Sequence, residues 1–187
     1  MIVKFEWMAL EEYFLAFESI LYGLIISRIL IKWSELANIK TTAIYWEYII
    51  LTINVFLLIV NVYWANRVPE HYEDVTNPLM FLLVVVVPPS LFTFMTYQMF
   101  PNAHYSKNLK EYLIEHRKKI FIPWTAFMVY ETSVLSDLKM SPYTIGAFVL
   151  LINTLFIIKS PKMIWIHLFL IIHSALISLG YLRSYLF

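Results

Sequence analysis

Six apolar stretches recur along this chain, and the positive charges between them gather on alternate connections. A helix needs about 17–25 mostly apolar residues to cross a bilayer. Hydrocarbon offers no partner to an exposed backbone group, so a chain of this pattern spans as helices. The stretches run over 13–31, 45–64, 78–100, 120–135, 142–158 and 162–185, the fourth at the short end of that range. They predict an all-α integral membrane protein: one transmembrane domain over residues 1–187, with six helices in a single bundle. The loops are short, except for an amphipathic segment between helices three and four.

Composition agrees with that reading. The chain is 60% hydrophobic, with a mean hydropathy of +0.69. A soluble domain of this length has no use for so much apolar surface, whereas a bundle facing lipid does. A net charge of +1 supplies no basic field for nucleic acid, so no direct nucleic-acid partner is expected. The absence of cysteine excludes disulfides, thiolate metal sites and cysteine nucleophiles. The start, Met1 to Trp7, lacks a basic region ahead of an apolar core, and Glu11 and Glu12 precede the first stretch. The first helix is therefore expected to target the membrane without a cleavable signal.

Lysine and arginine orient the bundle. Arg28, Lys32, Lys40, Lys107, Lys110, Arg117, Lys118, Lys119, Lys159 and Lys162 fall on one side; Lys4, Arg67, Lys139 and Arg183 fall on the other. The positive-inside rule places the first group in the cytoplasm of a bacterial inner membrane, with both termini outside. Tryptophans 7, 33, 46, 64, 124 and 165 lie near the ends of stretches, as interfacial indoles do.

Polar groups within apolar stretches are the candidate sites. Glu47, Asn54 and Asn61 recur every seven residues, close to two helical turns, and so share one face. They read as a seam that either hydrogen-bonds to neighbouring helices or lines a hydrated path. If the first two helices form a hairpin centred near residue 38, Arg28 lies level with Glu47, and an ion pair is expected. Glu18 is the leading functional candidate, and Glu131 is placed to face it across the bundle as a carboxylate pair. Pro88 and Pro89 delete two backbone donors in mid-stretch and strand the carbonyls of Val84 and Val85. Asn54 is expected to reach one of them. Asn153 and His167 share a depth in the last hairpin, so a hydrogen bond between them is expected.

Residues 102–119 read as the amphipathic segment, with Leu109, Tyr112, Leu113 and His116 on one face. It ends in the basic run His116, Arg117, Lys118 and Lys119, a candidate contact for anionic lipid or a cytoplasmic protein partner. His167 and His173 are six residues apart and point in different directions around their helix, so no metal or haem site is expected. No cofactor is expected. The chain has no His-Glu-x-x-His, Gly-x-Ser-x-Gly or phosphate-binding glycine loop, and no enzymatic activity is expected. The expected function is an oligomeric channel, pore or membrane effector. The alternatives are an accessory protein docking a partner through 102–119, and a small cation or metabolite transporter. In size and class the chain is similar to small membrane accessories of phage-defence or CRISPR loci, a likeness of general style that carries no residue over.

Overall fold

The computed structural model describes residues 2–38, 45–65, 78–101, 108–130 and 142–186. Among them every regular element is helical: α1 (Ile2–Asn38), α2 (Trp46–Ala65), α3, α4 (Leu109–Tyr130), α5 (Pro142–Lys159) and α6 (Met163–Leu186). α3 is one continuous rod in three parts, Pro78–Phe81, a π-helical turn Leu82–Val86, and Val87–Met99. Three helical segments are long and apolar enough to cross a membrane: Glu12–Asn38, Trp46–Trp64 and Leu82–Met99. Shorter apolar helices cover Ile145–Lys159 and Met163–Ser178.

Helix direction alternates along the chain. Ser19 and Tyr63 share a hydrogen bond of 2.9 Å, and Trp33 Nε1 donates to Thr52 Oγ1 at 3.1 Å, so α1 and α2 are antiparallel. Tyr112 Oη donates to the Gln98 carbonyl and Tyr130 Oη to the Leu83 carbonyl, which makes α3 and α4 antiparallel. α1 and α3 run parallel, as the ring contacts Phe14–Phe81 and Tyr22–Phe92 require. The helices pack as a closed ring in the order α1, α2, α6, α5, α4, α3 and back to α1, with α2 also touching α4 across the middle.

Aromatic rings fill the centre. Trp124 is fully buried on α4 and meets Phe169 and His173 of α6 edge-on, with centroids 5.0 and 4.7 Å apart. Phe92 of α3 packs on Phe127 at 4.6 Å, and Phe121 on Phe169 at 5.1 Å. Edge-on and offset rings are favourable beyond the area they bury. Gly146 lets α5 approach α6 closely: a Cβ there would overlap the Leu176 side chain.

Two expectations are corrected. The amphipathic segment and the fourth stretch are not separate, since residues 109–130 form one helix whose first half is amphipathic and whose second half is apolar. Trp124 therefore lies well inside a helix and is buried, unlike an interfacial indole; Trp46 and Trp64 are 64% and 69% exposed. The last helix begins at Met163, and Ser160 Oγ accepts from the Lys162 amide in a short turn ahead of it.

Candidate functional site

The seam predicted on α2 exists, and its partner is α6. His167 Nε2 lies 2.9 Å from Glu47 Oε1, an N–H donating to a carboxylate. One heptad on, Asn54 Nδ2 donates to Ser174 Oγ at 2.9 Å, and the hydroxyl lies 3.3 Å from Asn54 Oδ1. Both pairs are separated by 120 residues in sequence. A constant offset over seven residues means that α2 and α6 are parallel, with contacts that repeat at the heptad. The first pair is partly exposed, with side-chain exposures of 43% for His167 and 28% for Glu47. Asn54 is buried.

Asn61 continues the seam into a small cavity of about 20 Å³ between α2, α4, α5 and α6. His173 and Met128 also line it. That volume is room for about one water. The Nδ1 atom of His173 is buried and has no hydrogen-bond partner among the described residues, nor does the indole N–H of Trp124 against which the imidazole packs.

Around Pro88 and Pro89 the helix changes register. The Val87 amide donates to the Leu82 carbonyl, an i to i−5 bond. Continued one residue, that register makes Leu83 the carbonyl that Pro88 cannot serve, and Tyr130 Oη donates to it at 2.8 Å. Ser90 Oγ donates to the Val86 carbonyl and Thr93 Oγ1 to that of Pro89. Glu18 is 1% exposed and lies close enough to Tyr130 to act on it electrostatically. One turn earlier, Phe14 packs on Phe81 and Val85, so α1 presents the carboxyl beside the π-helical turn. Glu131, expected opposite Glu18, lies outside the described residues.

The other predicted pairs form differently. Arg28 does not meet Glu47; its guanidinium carbon sits 4.6 Å above the Tyr97 ring. α1 continues to Asn38, so the hairpin turns later than residue 38. The Trp33–Thr52 and Ser19–Tyr63 bonds place Arg28 about 10–15 Å along the axis from Glu47. Asn153 Nδ2 donates to the Trp165 carbonyl at 3.1 Å, not to His167. The depth was read correctly and the azimuth was not: His167 turns to α2. Asn54 likewise takes Ser174, and the carbonyl freed in α3 takes Tyr130.

The amphipathic face is as expected, with Leu109, Tyr112 and Leu113 buried. His116 stacks on Tyr112 at 4.3 Å, and Arg117 Nη1 donates to the Ile114 carbonyl. Lys118 and Lys119 are exposed, with Glu111 and Glu115 exposed among the same turns. Such interleaved signs make a solvated face. Among the described residues no group of three His, Asp or Glu side chains is disposed to hold a metal. Sequence reasoning missed Tyr130 and the Thr125–Thr154 bond, 3.0 Å, between α4 and α5. A tyrosine ending an apolar run was the available signal, because a buried phenol needs an acceptor.

No family model matches the chain, and neither a curated protein nor a solved structure shows significant similarity to it.

Proposed function

We propose that this is a multi-pass protein of the bacterial inner membrane that works as an oligomer, as a channel, pore or membrane effector, with its ion path between protomers. The observation that carries this reading is the direction of the polar seam. Glu47 and Asn54 are engaged with α6, and aromatic rings occupy the centre of the bundle. Those groups hold two helices together, the ordinary role of amides and hydroxyls between apolar helices. A transporter would need an occluded cavity beside Asn54; that amide is buried against Ser174.

Membrane insertion is supported by α2. Trp46 and Trp64 stand exposed at its two ends, about 27 Å apart at 1.5 Å per residue. That is close to the roughly 30 Å of bilayer hydrocarbon. Between them Ile50 and Ile53 are exposed. With the ten-to-four division of basic residues, the connections after α1, α3 and α5 face the cytoplasm and both termini face outward.

The test is ion conductance of the full chain in a planar bilayer at graded protein density. A path between protomers gives discrete steps whose frequency rises more steeply than in proportion to density. Strict proportionality would place the path inside one bundle and overturn the assignment. Silence at every voltage, pH and lipid composition would favour the accessory reading, for which the exposed Lys110, Glu111, Glu115, Lys118 and Lys119 on α4 are the docking candidates.

A further inference from the structure

We infer that the groove between α1 and α3 at Arg28 and Tyr97 binds the phosphate of an anionic phospholipid. This rests on the membrane reading above and adds a ligand to it. Arg28 lies ten residues before the end of α1, and Tyr97 two residues before the end of α3. The guanidinium carbon lies over the tyrosine ring, 4.6 Å from the centroid. Its Nε is buried without a hydrogen-bond partner, and no carboxylate among the described residues pairs with it. The basic residue one turn on, Lys32, is already paired with Glu35.

The surroundings say what kind of anion fits. On α1, Leu24 and Ile31 share the face of Arg28; on α3, Phe94 shares the face of Tyr97. All four of these side chains are exposed, Tyr97 at 61%. A soluble anion or an acidic peptide gains nothing from such a rim, whereas a molecule with a phosphodiester at one end and acyl chains at the other covers all of it. Guanidinium is a fork of N–H donors matched to phosphate oxygens, and stacking on a ring holds the fork in place. An isolated cation within apolar surroundings is costly, and a phosphate removes that cost without displacing any protein contact. Tyr97 lies in the last turn of α3, so the guanidinium is level with the end of that helix. Phosphatidylglycerol, which carries no amine to compete with Arg28, is the expected occupant.

The experiment is native mass spectrometry of the full chain released from detergent, titrated with phosphatidylglycerol, phosphatidylcholine or inorganic phosphate. Wild type retains phosphatidylglycerol in preference to phosphatidylcholine. Arg28→Gln binds it roughly tenfold more weakly, the effect of one charge-assisted hydrogen bond. Arg28→Lys, which keeps the charge and loses the fork, falls between the two and serves as the control for folding. Tyr97→Leu weakens binding while leaving the charge in place. Equal retention by wild type and Arg28→Gln overturns the proposal, as does displacement of the lipid by millimolar inorganic phosphate, which would make the site one for a free anion. Flotation with phosphatidylglycerol vesicles after an alkaline wash separates this from failure of the membrane reading. If both proteins stay with the bilayer and retain lipid equally, only the lipid site falls; if wild type is washed off, both fall.

Discussion

The seam between α2 and α6 and the proline turn of α3 solve the same problem by different means. Both must satisfy polar groups in apolar surroundings. The seam does so with side chains, at a repeat of seven, between two regular helices whose offset does not change from Glu47–His167 to Asn54–Ser174. The proline turn does so for the backbone. There the polar group is a carbonyl, the helix itself shifts to a π register, and the donor is a hydroxyl from α4. A seam tolerates the loss of a partner when the remaining group can turn elsewhere; a main-chain carbonyl cannot turn. π-helical turns recur at functional sites, and this one is flanked by the buried Glu18.

Four substitutions sharpen that contrast, the largest effect first. Tyr130→Phe leaves the partly buried Leu83 carbonyl without its donor and costs about 1–3 kcal/mol of stability in a detergent melt. In a Pro88→Ala background, where an amide returns to the helix, the same change costs distinctly less; equal costs in both backgrounds would show that the hydroxyl does not answer the proline. Ser174→Ala, in the seam, costs about 1 kcal/mol, because the Asn54 amide has no backbone acceptor of its own to fall back on. Asn54→Leu costs less, since a lone helical serine bonds its own preceding turn, as Ser178 already does with the Ser174 carbonyl. The reverse ranking would mean that the seam is not a mutual pair. Glu47→Gln has the smallest effect, well under 1 kcal/mol, because its bond to His167 is partly exposed and the amide can still accept.

Much of the architecture was legible because apolar runs and helices are the same thing in a chain like this. The bounds of α2, α3 and α5 follow the hydropathy within one or two residues. α4 was not legible as one helix: the amphipathic segment and the apolar stretch after it read as separate elements, with the basic run His116 to Lys119 at their boundary. The seam was visible from spacing alone, but its partner was not. Hairpin arithmetic pairs consecutive helices, whereas Glu47 and Asn54 face α6, the neighbour of α2 on the other side of the ring. The same arithmetic set Arg28 against Glu47 because it placed the first turn too early. Depth can be read from numbers along a helix; azimuth is decided by which neighbours a ring closes upon, and that is a property of all six helices together.

The separation of 120 residues between seam partners also has a consequence for biogenesis. α2 emerges from the ribosome long before α6, so during synthesis Glu47 and Asn54 are without these partners until α6 is made. A chain halted before Met163 would leave the Glu47 carboxylate and the Asn54 amide without the His167 and Ser174 side chains that answer them. The seam is thus closed only once α6 has been made.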